Sequence, residues 1–360
     1  YLSDELDKSK LKLNLDQLDK VLDRTVDKLN STNEKKQFEL IYNKLLNLKI
    51  CDPAIGSGAY PLGLLTILVS SLKKIREILG KTKISDYRLK KNIIQNCIYG
   101  VDKNFSSVEI AKLRLWLSLI IEEDSLDHIE PLPNLEYKIV NGNSLIGVEH
   151  NLLNDHLVIE FVKLKEKFYL ENNFKKKQNL KDEIDKIKKD LNILDKFDFE
   201  INFHEIFAPN INNQNKSGFD IVIANPPYLG EKNNKEIFRE IKFGKLKEFY
   251  EGKMDLFYFF FHQGINLLNN GGILCFITTN YFVTAQGAKK LRKDFHKRCE
   301  MKRFINFKEF KIFESAQGQH NMITILKKND VIVKNKIDIT NCNLDGLAND
   351  FILKTIFKKE

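Results

Sequence analysis

Asn225-Pro226-Pro227-Tyr228 is the stretch of this chain whose side chains could grip a reacting group. The Asn amide offers a carbonyl acceptor and N–H donors, the prolines fix the backbone and bare a carbonyl, and the Tyr ring is a surface for stacking. Together they are shaped to hold a planar amine. The same four residues equally describe a proline-stopped strand with a surface Asn. A second set is Asp52-Pro53-Ala54-Ile55-Gly56-Ser57-Gly58, where a carboxylate could hold a cationic amine or hydroxyls and the glycines let the backbone approach a ligand. It has neither the G-x-G-x-x-G of a dinucleotide site nor the Gly-Lys-Ser/Thr end of a phosphate loop, so it suits an adenosyl ligand without a pyrophosphate. Asp102 could accept ribose hydroxyls or cap the helix that follows it, and Asn143 could meet an adenine edge or simply serve an Asn-Gly-Asn turn.

These groups need strands that end where they begin. Short apolar, β-branched runs at 48–51, 97–101, 137–140, 219–224, 273–280, 304–307 and 322–326 predict seven strands. Apolar residues at helical spacing occupy 61–79, 108–121 and 253–268, and a basic helix is expected at 286–299. The alternation predicts an α/β protein with a seven-stranded Rossmann-like sheet, whose carboxyl edge is where ligands bind. Residues 1–47 read as a helical N-terminal segment and 48–328 as the catalytic domain. Within that domain, 151–217 is a helical, highly charged insertion, read as a solvated scaffold in preference to a DNA grip. Residues 329–360 are expected to be an extension or the start of a missing domain, and the chain, beginning at Tyr1, a fragment.

The composition is that of a globular chain, 42% hydrophobic and 30% charged, with no apolar run long enough to span a bilayer, so a cytoplasmic protein without a membrane partner is expected. Five cysteines without a C-x-x-C pair read as reduced structural thiols, and no metal site is expected. None follows a proline, which removes the nucleophile of cytosine ring-carbon methylation. The net charge of +9 is concentrated between Lys289 and Lys311, where Lys289, Arg292, Lys293 and their neighbours outnumber the acids. That surface suits a polyanion, or is a solvated lysine-rich helix. Phe313, leading a polar loop, could contact a base or belong to the core.

The order of glycine loop, Asp102 and Asn225-Pro226-Pro227-Tyr228 resembles the S-adenosylmethionine-dependent DNA N6-adenine methyltransferases of the gamma arrangement. The segments around 51–64 and 142–147 look most like the methyltransferase part of type IIG restriction-modification enzymes. The resemblance spans roughly residues 45–328. It implies a class I methyltransferase sheet, S-adenosyl-L-methionine as cofactor and double-stranded DNA as partner. Asp52, Pro53, Ala54, Gly56, Ser57 and Gly58 would hold the methionine end, Asp102 the ribose and Asn143 the adenine, although relatives commonly carry Asp at the last position. Asn225, Pro226, Pro227 and Tyr228 would be catalytic. The family's N-terminal cofactor motif is not recognisable in 1–47. A target-recognition domain or subunit is expected to lie outside the chain, and no nuclease constellation is visible within it. Two rivals fit the same residues: methylation of a protein glutamine amide, which also uses Asn-Pro-Pro-Tyr, and a non-catalytic DNA-binding or assembly subunit.

Overall fold

Strands of three to twelve residues, the central ones largely buried, alternate with helices through most of the described chain. The computed structural model describes residues 32–82, 84–121, 135–147, 155–171, 173–190, 197–207, 217–313, 320–329 and 337–343, with Gly346 and Ala348. The helix expected over 1–31, the polar loop 314–319 and most of 329–360 lie outside the described residues. In chain order the elements are α1 (Thr32–Asn47), β1 (Ile50–Asp52), α2 (Ala59–Ile78), α3 (Asp86–Asn96), β2 (Ile98–Asp102), α4 (Phe105–Ile120) and β3 (Ile139–Asn141). There follow α5 (Asp155–Leu170), α6 (Phe174–Asp190), the single turns α7 (Phe199–Asn202) and α8 (His204–Phe207), β4 (Phe219–Ala224) and α9 (Lys235–Phe243). The last are α10 (Leu256–Leu267), β5 (Leu268–Thr279), α11 (Lys289–Arg298), β6 (Cys299–Asn306), β7 (Asn321–Lys328) and β8 (Asp338–Asn341).

The sheet runs β3-β2-β1-β4-β5-β7-β6-β8. The first five strands are parallel, β7 is inserted antiparallel between β5 and β6, and β8 joins the edge parallel to β6. Seven of these strands are the expected ones; β8 is an addition. The winding reverses between β1 and β4, which pair in parallel with Cys51 opposite Val222. A crevice opens at such a reversal, outside the carboxyl ends of the strands. It is flanked here by Asp52 on one side and Asn225 on the other.

Residues alternating along the strands feed two cores, one on each face. On one, Val222, Ala224, Leu274 and Phe276 pack under Phe257, Phe259 and Phe261 of α10; on the other, Ile50, Ile98 and Ile139 meet α2, α3 and α4. Each such fully buried phenylalanine contributes roughly 1.5–3 kcal/mol. The charged insertion has a small core of its own, in which Phe161, Leu164 and Phe168 of α5 meet Ile184 and Ile187 of α6, with Tyr137 ahead of β3 and Ile201 of α7 joining it. Lys165, nearly buried there, donates to the Asn202 carbonyl and to Glu205.

Helix α11 is fastened to α10 by a polar cluster. The His262 Nδ1 lies 2.6 Å from Asp294 Oδ2, and the Arg298 guanidinium makes two 2.5 Å bonds to the same carboxylate. Burial pushes the Asp294 carboxyl up, but the hydrogen bonds from His262 and Arg298 outweigh it and hold the group below its ordinary range. Its stabilising contribution is therefore complete above the unfolded carboxylate pKa and is lost as the pH falls through the lower folded value. Removing one partner strands the others, so Asp294→Ala is expected to cost about 3 kcal/mol, read as a lowered urea midpoint at neutral pH. A midpoint within error of wild type would contradict this.

Candidate active site

Asp52 ends β1 and is 1% exposed. Its Oδ1 accepts the Ala54 N–H at 3.0 Å, a tight turn that starts the glycine loop, while its Oδ2 is buried without a hydrogen-bond partner among the described residues. Burial pushes the carboxyl up to about 8; the Ala54 N–H pulls it down and the neighbouring Asp102 charge adds to the rise. A buried, unsatisfied carboxylate oxygen is costly unless a cationic or N–H donor arrives to meet it. Two residues on, Gly56 has φ +52, and a Cβ placed there would meet nothing within 4 Å. The loop thus leaves open space at Gly56. Gly58 (φ +83) begins α2 where a Cβ would stand 3.0 Å from Ala111, so the loop lies flush against α4.

Asp102 is tied into the same loop. Its Oδ2 accepts the Gly56 N–H at 2.9 Å and its Oδ1 the Asn104 N–H at 2.8 Å. The helix cap that Asp102 might have provided belongs to Asn104, whose Oδ1 takes the Ser107 N–H. Asn143 follows β3, and its Oδ1 closes a local turn onto the Leu145 N–H, while the next residue, Ser144, donates to the Pro53 carbonyl at 2.6 Å. The ends of β1, β2 and β3 are therefore joined into one rim carrying Asp52, Gly56, Asp102 and Asn143. Ser57, for which sequence offered no partner, holds Arg114 of α4 through its carbonyl and hydroxyl.

On the other side of the crevice, β4 stops at Ala224, with Asn225 half-buried, Pro226 buried and Pro227 exposed. The Tyr228 hydroxyl donates to Asn225 Oδ1 at 2.6 Å and also lies 3.1 Å from the Ile277 carbonyl of β5. Its ring packs edge-on to Phe257 at 5.9 Å. Just beyond, Asp255, the N-cap of α10, accepts the Leu229 N–H at 3.1 Å, and Gly230 bridges to it. The tetrapeptide is thus held from β5 and from the start of α10, and Asn225 stands at the carboxyl end of β4 with its amide oriented by Tyr228.

Tyr60, in the first turn of α2, packs against Ile277, Ile305, Phe307 and Phe310, close enough for the charge on Asp52 to act on it and for its own hydroxyl to act on Tyr228. Burial first, then the nearby Asp52 and Cys275, raise the pKa of its phenol, so it stays protonated. Sequence reading passed over it because an aromatic at a helix start is ordinary. Phe313 joins the same cluster half-buried, neither core nor free. The basic residues divide. Arg292 donates to the Phe282 and Ala285 carbonyls and so braces the loop that follows β5, whereas Lys289 and Lys293, one turn apart on α11, are exposed. By topology α11 starts beside the carboxyl edge, which puts Lys289 nearer the crevice than Lys293.

The profile of the Eco57I restriction-modification methylase family matches residues 96–313, a span that holds Asp102, Asn143, the tetrapeptide and Phe313 but begins after the glycine loop. A Methanocaldococcus jannaschii protein, provisionally named a type II restriction enzyme and methyltransferase, is 28% identical over 367 residues, which is 79% of this chain and 30% of that protein. The Escherichia coli type II restriction enzyme and methyltransferase RM.Eco57I is 23% identical over 301 residues, 79% of this chain and 25% of its own length. The chain therefore spans less than a third of the length of these curated relatives. Among solved structures, the type IIL restriction-modification enzyme MmeI in complex with DNA shares the fold, with a TM-score of 0.54 and 15% identity over 95% of this chain and 38% of that one.

Proposed function

We propose that this chain, which belongs to the Eco57I restriction-modification methylase family, transfers a methyl group from S-adenosylmethionine to the exocyclic N6 amine of adenine in double-stranded DNA. The observation that carries this reading is the pair of groups at the carboxyl ends of the neighbouring strands β1 and β4: the Asp52 Oδ2, unpartnered among the described residues, and the Asn225 amide held by Tyr228. One asks for a cationic donor, the other for an N–H.

The cofactor, when bound, supplies an electrophilic methyl on a positively charged sulfur. Asp52 would take its ammonium, the open face of Gly56 would admit its chain, and Asp102 and Asn143 would meet ribose and adenine. Asp102 is already oriented for this by two backbone N–H bonds. The amine of adenine is a poor nucleophile because its lone pair is conjugated with the ring. The Asn225 Oδ1 and the Pro226 carbonyl can accept its two N–H bonds, favour a pyramidal nitrogen and aim the lone pair at the methyl. Reaching that nitrogen requires extruding the base from the duplex, at a cost of a few kcal/mol. Stacking on Tyr228, with Phe313 nearby, offsets roughly 1–3 kcal/mol of it. Lys289 and Lys293 are the exposed cations available to phosphates, and target choice falls to a recognition domain or subunit outside these residues.

The test sets two acceptors side by side. With methyl-labelled cofactor, the label is expected in unmethylated duplex DNA and not in a release-factor peptide carrying a glutamine. Label in the peptide would replace DNA with a protein substrate, and failure to bind the cofactor by calorimetry would make the chain a non-catalytic subunit.

A further inference from the structure

Asn321, the first residue of β7, is 0% exposed, and neither its side-chain Nδ2 nor its side-chain Oδ1 makes a hydrogen bond to any described residue. Buried amides are normally satisfied, so a residue that forgoes both bonds marks a place where something else is required of it. Because β7 runs antiparallel, its first residue lies at the edge where the parallel strands end, opposite Thr279 of β5. Asn321 therefore shares the active edge with Asn225, and it pairs with Thr279, two residues beyond the Ile277 carbonyl that the Tyr228 hydroxyl reaches, which brings its side chain next to that hydroxyl with its own hydrogen-bonding capacity unspent.

That hydroxyl is oversubscribed. It has one proton and two acceptors in reach, Asn225 Oδ1 at 2.6 Å and the Ile277 carbonyl at 3.1 Å. While the proton rests on Asn225, it occupies a lone pair of the oxygen that the target amine must use. When the proton swings to Ile277, that lone pair is released, and the phenolic oxygen turns a lone pair of its own towards a donor. The Asn321 amide is the unspent donor beside it.

Building on the methyl-transfer reading, we infer that Asn321 is a positioning residue of the amine grip: its N–H holds the Tyr228 oxygen when the Tyr228 proton moves from Asn225 Oδ1 to the Ile277 carbonyl, clearing Asn225 for the target amine. No proton leaves the protein, and one hydrogen bond is exchanged for another. Tyr228 is then both a stacking surface and a latch that shields Asn225 until a base arrives.

The experiment is a double-variant cycle on the full chain with Asn321→Leu and Tyr228→Phe. Asn321→Leu is expected to lower kcat for DNA methylation about tenfold or more, with KM for S-adenosylmethionine unchanged. Its melting temperature should equal or exceed that of wild type, because an unsatisfied buried amide has been removed. In the Tyr228→Phe background, which has no hydroxyl to hold, adding Asn321→Leu should change kcat by less than about twofold. A multiplicative loss in the double variant, a wild-type kcat in Asn321→Leu, or a lowered melting temperature would each overturn the assignment. Absence of DNA methylation by the wild-type chain would count against the proposed function, while the melting comparison would still judge Asn321 independently.

Discussion

Asn225→Ala eliminates methyl transfer, lowering the single-turnover rate by about a thousandfold or more, while S-adenosylmethionine binds as before. The expectation follows from what the amide does. Removing one preorganised partner of a developing charge typically costs 10²–10³ in rate, and here the same side chain also fixes the direction of the nucleophile's lone pair. It is, besides, the partner of the Tyr228 hydroxyl, so its loss loosens the stacking ring as well. The proposed cofactor contacts follow β1, β2 and β3, on the other side of the β1/β4 reversal from Asn225, and would not pass through it. Asn225→Asp keeps an acceptor and should retain a fraction of the rate. Calorimetry and a single-turnover assay separate the two effects; loss of cofactor binding in Asn225→Ala, or retained turnover, would contradict the arrangement.

Asp52→Asn weakens S-adenosylmethionine binding by about a hundredfold or more. The cofactor's ammonium would be left buried against a neutral amide, and breaking such a pair costs roughly 3–5 kcal/mol. The pH dependence carries a sharper signature. The carboxyl is pushed up to about 8, so below that value it must give up a proton before it can hold a cation. Between about pH 6 and 7.5 the affinity of the wild-type chain should rise with pH, approaching tenfold per unit, with close to one proton released on binding. Asp52→Asn should flatten that slope. The sign for stability is opposite. A carboxyl with a raised folded pKa contributes stability that is fully present below its unfolded value and is lost as the pH rises through the folded one. Near neutral pH the empty Asp52→Asn protein should therefore melt higher than wild type even as it loses cofactor. A pH-independent affinity in the wild-type chain would remove Asp52 from the cofactor site.

The strands that carry these groups were legible because each is a short apolar run closed by a residue that cannot extend it, as Pro226 closes β4. β8 was not, since Asp338-Ile339-Thr340-Asn341 is a mostly exposed edge strand with no apolar pattern to announce it. The start of β5 was missed for a different reason. Asn269 to Gly272 fall between the expected helix, which ends at 268, and the expected strand, which begins at 273, yet they form a bulged strand in which the Asn269 amide finds Asp220 and Gly271 takes φ +86. In the site, residue types were readable and partnerships were not. Nothing in sequence shows that Asp102 would accept the Gly56 N–H, that Asn104 would be the helix cap, or that Arg292 would brace a loop instead of facing a polyanion. The first is a contact over tens of residues, set by which strands pair, while the cap and the brace are local and depend on the path of the loops at the strand ends. Asn321 had no signal at all, because a single Asn ahead of an apolar run looks like any strand start.

The central claim is that the crevice between β1 and β4 delivers a methyl group to the N6 amine of adenine. The most direct measurement is to incubate unmethylated duplex DNA with the chain and methyl-deuterated S-adenosylmethionine, digest to nucleosides and resolve them by mass spectrometry. The predicted result is deuterated N6-methyldeoxyadenosine, present with the wild-type chain and absent with Asn225→Ala. Label on cytosine, or none on any nucleoside while the cofactor binds, would contradict it.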